Sequence, residues 1–137
     1  GLLDMKEKDF FVINGDIITK VDFKNMLQFH LKNKSFATMA IKKKLNNEKF
    51  GVVKTNGIDF LNVSEKPLIT YNINSGIYLL NKKVINYVSK NKKIEMTDLF
   101  NNLKKKQKKI SVFPIFENWL DLANSNDLIE ANRHLKK

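Results

Sequence analysis

Phe10-Phe11-Val12-Ile13-Asn14-Gly15-Asp16-Ile17 holds the decision about the fold, because a run of four apolar residues stops abruptly at Asn-Gly-Asp. A short apolar run without polar alternation reads as a strand buried on both faces. The Asn-Gly pair then allows two continuations. One is a tight hairpin; the other is a loop that leaves Asp16 at the carboxyl end of the strand. A hairpin needs an alternating strand directly after the turn. Instead Asp22 is a good helix N-cap, and Phe23, Met26, Leu27, His30 and Leu31 follow at helical spacing. The residues predict a buried strand over 10–13 and a helix over 22–33 with one face on the core, His30 packing within that face. Asp16 then sits where open α/β sheets bind ligands. An aspartate that merely closes a loop explains the same residues.

Further along, 36–42 (FATMAIK) reads as a strand, so strand, helix and strand suggest a βαβ unit with a parallel pair. Residues 50–63 differ in kind. Two β-rich runs flank Asn56-Gly57, a strong hairpin signal. After Glu65-Lys66-Pro67 comes the run Ile73-Asn74-Ser75-Gly76-Ile77-Tyr78-Leu79-Leu80. Helical patterns return over 82–89 and after Thr97, where Leu99, Phe100 and Leu103 share a face. Ile110–Ile115 is a strand, Trp119-Leu120-Asp121 a short extended piece, and Ser125 caps a last helix bearing Leu128, Ala131 and Leu135. No repeat or low-complexity linker interrupts this pattern, so one α/β domain with a mixed sheet is expected.

The 137 residues are 42% hydrophobic, enough for one core, and contain no run long enough for a membrane-spanning helix. With no cysteine there is neither a disulfide framework nor a thiolate metal site, and a cytoplasmic protein is the default. A net charge of +11 raises the question of nucleic acid. Lysine supplies almost all of it, however, and Arg133 is the only arginine, whereas bidentate phosphate and guanine contacts favour arginine. The runs Lys42–Lys44 and Lys104–Lys109 lack the interleaved aromatics that single-strand binders use, so they read as solvated surface. Nucleic acid is not the expected partner.

Taken in order, FFVINGD, FGVV, SEKP, NINSGIYLL and NWLD resemble the sugar-phosphate nucleotidylyltransferases, in particular the mannose-1-phosphate guanylyltransferase-like and glucose-1-phosphate thymidylyltransferase-like group. Each motif alone is weak; five in order over nearly the whole chain are specific. The resemblance implies a mixed, mainly parallel Rossmann-like sheet with a β-hairpin insertion. It implies transfer of a nucleotidyl group from a nucleoside triphosphate to a sugar 1-phosphate, with release of pyrophosphate. It further implies that Asp16 and Asp121 hold a catalytic Mg²⁺ and that Lys66 binds the sugar phosphate. Glu65 would bind sugar hydroxyls, the Gly51 backbone would lie against the sugar, and Asn74, Ser75 and Gly76 would form the sugar pocket.

Those residue types suit the chemistry. Two polyanions must meet, Mg²⁺ takes one or two carboxylates plus phosphate oxygens, and an already anionic phosphate needs no general base. On the residues alone, Lys66 is equally an exposed strand-end lysine, Asp121 a turn cap, Asn74 a bulge residue and Trp119 core.

Three departures from the family pattern stand out. Ser75 replaces the usual alanine, and Leu122-Ala123-Asn124 replaces the usual hydrophobic-Gly-Thr. The glycine-rich triphosphate loop of the G-x-G-T-R-x-x-P type has no counterpart, since no G-x-G occurs. The resemblance therefore implies that residues 1–137 are a C-terminal portion of the catalytic domain, without transferase activity alone. It implies sheet edge and apolar surface left for a missing N-terminal half or a second copy to cover. A non-catalytic homologue of the same fold, or a basic nucleic-acid module, are the competing expectations.

Overall fold

The computed structural model describes residues 8–89 and 93–123; the predicted last helix at Ser125 lies outside them. Eight strands are present: β1 (Asp9–Ile13), β2 (Ile17–Thr19), β3 (Ala37–Asn47), β4 (Val52–Asn56), β5 (Asp59–Ser64), β6 (Leu68–Asn81), β7 (Ile110–Ile115) and β8 (Trp119–Asp121). Two α-helices, α1 (Phe23–Lys32) and α2 (Met96–Lys105), and a 3₁₀ turn over Lys82–Tyr87 complete the described chain. No described helix is long and apolar enough to cross a membrane.

The central sheet has the order β1-β6-β3-β7. β1 and β3 are not neighbours, contrary to the simplest βαβ reading. Both pair antiparallel with β6, which is inserted between them, so they point the same way across it. The adjacent parallel pair is β3–β7, from Ala37↔Ile110 to Lys42↔Ile115. Three of the four strands thus share a direction and one opposes them, giving the mixed sheet expected.

Alternation along β6 places Ile77 and Leu79 on one face and Tyr78 and Leu80 on the other. The first face packs on α1 through Met26, with Ala40, Phe113 and Ile115. The second packs on α2 through Leu99, Phe100 and Leu103. Both faces are covered, which is why GIYLL reads as a continuous apolar run. β1 is different: Phe10, Phe11 and Val12 are half-buried and Ile13 is exposed, because among the described residues this strand is paired on one side only.

Local signals explain the helix boundaries. Asp22 Oδ1 accepts from Asn25 N at 2.9 Å, the N-cap bond expected of it. At the other end Lys34 N donates to Leu31 O and Ser35 N to His30 O, a Schellman closure with Lys34 at φ 49. α2 ends the same way at Gln107, φ 54, with Lys108 N donating to Leu103 O. Neither closure uses glycine; the end of α1 nevertheless falls within a residue of the expected 22–33, whereas the residues announced no end for α2.

Beyond the four-stranded body β3 and β6 continue as a two-stranded ribbon from Lys43↔Asn72 to Asn47↔Leu68, with the β4–β5 hairpin at its tip. The hairpin forms as predicted but turns one residue later, on Gly57-Ile58, with Asn56 paired to Asp59. Gly57 supplies φ +60 at the first turn position, the place where a type II′ turn requires glycine. The Lys42–Lys44 run is not simply solvated either. Lys42 Nζ donates to Phe116 O and Glu117 O at 3.2 and 2.7 Å, holding the segment between β7 and β8.

Candidate functional site

The FFVINGDI question resolves at the end of β1. A short strand, β2, does follow the turn, but it leaves β1 and pairs with β8, from Ile17↔Asp121 to Thr19↔Trp119. Asn14-Gly15-Asp16 is therefore a crossover between two sheets and not a hairpin. Its Asn14 N donates to Gly76 O at 2.9 Å, which ties the loop to β6.

β6 bulges at that same point. Met39 faces Tyr78 and Ile41 faces Asn74, so Ala40 alone stands opposite Ser75, Gly76 and Ile77. Two features of the residues hold the bulge. Gly76 takes φ +71, and a Cβ there would stand 2.8 Å from Asn14 Nδ2. Ser75 Oγ donates to Ala40 O at 2.9 Å, so this fully buried hydroxyl is spent within the protein. Asn74 is exposed, accepts from Gly76 N and donates from Nδ2 to Tyr78 Oη at 2.8 Å. Bulges beside active sites re-aim side chains, so the structural and functional readings of Asn74 are compatible.

Trp119 joins the third motif to the other two. Its indole N–H donates to Ser75 O at 2.8 Å while the ring packs on the α1 side of the core. β8 then carries Asp121 to the β2 edge, where Leu122 N donates to Asp16 O at 2.9 Å. Asp16 is exposed; Asp121 is half-buried and its Oδ1 accepts from Ala123 N at 3.0 Å. That bond is the turn-capping role foreseen for Asp121, and it leaves further acceptor capacity on the carboxylate. Three or more candidate metal-binding side chains do not cluster anywhere among the described residues. Mg²⁺ uses one or two carboxylates with phosphate oxygens and water; here the β2–β8 pairing brings the backbones of Asp16 and Asp121 into neighbouring positions.

Gly51 and Glu65 meet at the base of the hairpin, with Lys66 next in the chain. A Cβ on Gly51 would stand 3.0 Å from Glu65 Oε2 and 3.4 Å from Val63 Cγ2, so the carboxylate lies over bare glycine backbone. All three residues are exposed. Lys66 takes φ 44, an uncommon left-handed conformation for a side-chain-bearing residue, immediately before Pro67. Pro67 leads directly into β6, the strand that carries Asn74–Gly76. Sequence reasoning missed the positioning roles of Asn14 and Trp119, although both lie inside the motifs it singled out.

The profile of the family described as Nucleotidyl transferase matches residues 2–137. The chain belongs to the nucleotidyl transferase family. It is 32% identical over 141 residues to the bifunctional protein GlmU of Methanocaldococcus jannaschii, covering 96% of this chain and 33% of that one. It is 28% identical over 131 residues to the D-glycero-alpha-D-manno-heptose 1-phosphate guanylyltransferase of Aneurinibacillus thermoaerophilus, covering 95% of this chain and 57% of the relative. Among solved structures, HddC from Yersinia pseudotuberculosis matches with a TM-score of 0.70 and 22% identity over 98% of this chain and 58% of that one. The chain thus spans between a third and three-fifths of the length of these matched proteins.

Proposed function

We propose that these residues form the sugar-phosphate side of an enzyme that transfers a nucleotidyl group from a nucleoside triphosphate to a sugar 1-phosphate. An oxygen of the sugar phosphate attacks the α-phosphorus, the bond between that phosphorus and the bridging oxygen breaks, and pyrophosphate leaves. Asp16 and Asp121 would hold Mg²⁺, which when bound supplies charge neutralisation at the phosphates. Lys66 binds the sugar phosphate as a point cation, and Glu65 accepts hydrogen bonds from sugar hydroxyls over the open backbone of Gly51. Asn74 and the bulged backbone at Gly76 complete the pocket, with Ser75 holding the bulge from inside. Residues that cradle the triphosphate are supplied from outside these 137.

The observation that carries this reading is the convergence of three remote segments. Asn14–Asp16, Asn74–Gly76 and Trp119–Asp121 are tied to one sheet end by Asn14 N–Gly76 O, Trp119 Nε1–Ser75 O and Leu122 N–Asp16 O. The left-handed Lys66 adds support, since backbone strain of this kind clusters at ligand clamps. A non-catalytic homologue is the second reading, favoured by the Asp121 carboxylate being engaged by Ala123 N.

Calorimetric titration of the 137-residue chain with mannose 1-phosphate and glucose 1-phosphate tests the proposal. Binding of at least one is expected, weakened about tenfold or more by Lys66→Ala and by Glu65→Gln, as loss of about 1.4 kcal/mol would produce. Affinity for neither sugar phosphate, or affinity indifferent to both substitutions, would remove the sugar-side assignment.

A further inference from the structure

A second polar cluster lies at the opposite end of the sheet, where β1 begins and not where it ends. Asp9 pairs with Asn81 there, whereas Ile13 pairs with Ile77 beside the bulge. At about 3.4 Å per residue the two ends of β1 stand about 14 Å apart. A cavity of about 1000 Å³ opens at the Asp9 end, between the close of α1 and the 3₁₀ turn.

Its lining is strongly cationic. Among the described residues Lys8, Lys34, Lys82, Lys83 and Lys108 border it, with Asp9 the one carboxylate. The carbonyl end of α1 accounts for Lys34, because cations suit helix C-termini. Lys108 stands just past the end of α2 in the same way, and Lys8, Lys82 and Lys83 come from two further segments. Lys108 is held in place, its ammonium 5.6 Å from the Phe36 ring centre and 5.5 Å from that of Tyr87.

His30 forms the floor. It is 1% exposed, its Nδ1 lies 2.8 Å from Thr38 Oγ1, and its Nε2 has no hydrogen-bond partner. The nearest acceptor, Asp9 Oδ1, is 3.5 Å away and already accepts from Asn81 Nδ2 at 2.8 Å. Burial depresses the proton affinity of the ring more than Asp9 raises it, so the imidazole is neutral. An unprotonated Nε2 would point a lone pair at a carboxylate, so the proton sits on Nε2 and the Thr38 hydroxyl donates to Nδ1. The cavity floor is therefore an N–H donor whose nearest acceptor, Asp9 Oδ1, stands 3.5 Å away, beyond an ordinary hydrogen bond among the described residues.

We propose that this cavity is a second ligand site, for a small phosphate-bearing anion, distinct from the Asp16–Asp121 end of the sheet. Phosphate oxygens would accept from the lining lysines, Lys108 among them, and from His30 Nε2–H. Leu31, Phe36 and Ile85 line the same cavity and would meet an organic remainder. Asp9 opposes the anion and tempers its affinity.

Nitrogen-edited NMR of the histidine ring, assigned with His30→Gln, reads the site directly. Inorganic phosphate is added to the 137-residue chain at constant ionic strength, with chloride as the compensating anion. A saturating shift of the His30 ring nitrogens in the millimolar range is expected, unchanged in Lys66→Ala. The pair Lys34→Gln and Lys108→Gln should raise the half-saturation point about tenfold. Asp9→Asn should lower it several-fold, a gain that misfolding cannot imitate. A second arm with glucose 1-phosphate in the Lys66→Ala background separates the sources. Tighter binding than inorganic phosphate assigns an organic phosphate, and equal binding assigns the free anion. Absence of a shift, a shift that never saturates, insensitivity to the lysine substitutions, or no tightening in Asp9→Asn would each overturn the assignment.

Discussion

The bulged corner around Gly76 and the β4–β5 hairpin carry the two halves of the candidate site, and they are built in opposite ways. At the corner, four chain segments are fastened by hydrogen bonds to backbone carbonyls, and Ser75, Gly76 and Ile77 are buried. On the hairpin every residue of β5 is exposed, with Phe60 and Leu61 at 64% and 59%. The corner owes its geometry to residues within these 137, and geometry fixed before binding costs nothing at binding. The hairpin presents Gly51, Glu65 and Lys66 on a two-stranded element, and such an element is marginal in water without something to pack against. Candidate groups at the corner and on the hairpin therefore differ in how much of their positioning is set before binding.

The sharpest way to break this contrast is Gly76→Ala. It combines a φ of +71 with a Cβ placed 2.8 Å from Asn14, so a loss of about 2–3 kcal/mol in urea denaturation is expected. A near-neutral result would mean that the corner yields as readily as the hairpin. Ser75→Ala should cost about 1 kcal/mol through the lost bond to Ala40 O, with sugar 1-phosphate affinity unchanged. Weakened binding in a protein of intact stability would make the hydroxyl a ligand contact instead. Gly51→Ala has the smallest expected stability effect, below about 0.5 kcal/mol, because the new methyl is close only to the flexible end of Glu65 and meets Val63 Cγ2 at an ordinary contact distance of 3.4 Å. Its effect should fall on titration with sugar 1-phosphate, where displacement of Glu65 lowers affinity. If stability fell by as much as in Gly76→Ala, the hairpin would be no looser than the corner.

What could be read from the residues follows the range of the interactions involved. Asp22, the Leu99-Phe100-Leu103 face and Gly57 act within a turn or two of themselves, and each element they announce is present. β2 is three residues long and gains its identity from Trp119–Asp121, a hundred positions away, so nothing local distinguishes it from loop. The insertion of β6 between β1 and β3 is likewise a long-range pairing that helix and strand periodicity cannot express. Of the candidate site, the motif order brought out Asp16, Asn74 and Asp121 as a group. It could not reveal that Ser75 faces inward or that Trp119 is the link, because both depend on a bulge whose register is set by a neighbouring strand.

Trp119 is the only tryptophan in the chain, and its indole N–H is bonded to the backbone of the bulge at Ser75. Intrinsic fluorescence of this protein is therefore an unlabelled optical gauge of one carbonyl, that of Ser75. A ligand that shifts the bulge would alter emission wavelength or yield in the first mixing experiment, before any assay of turnover exists.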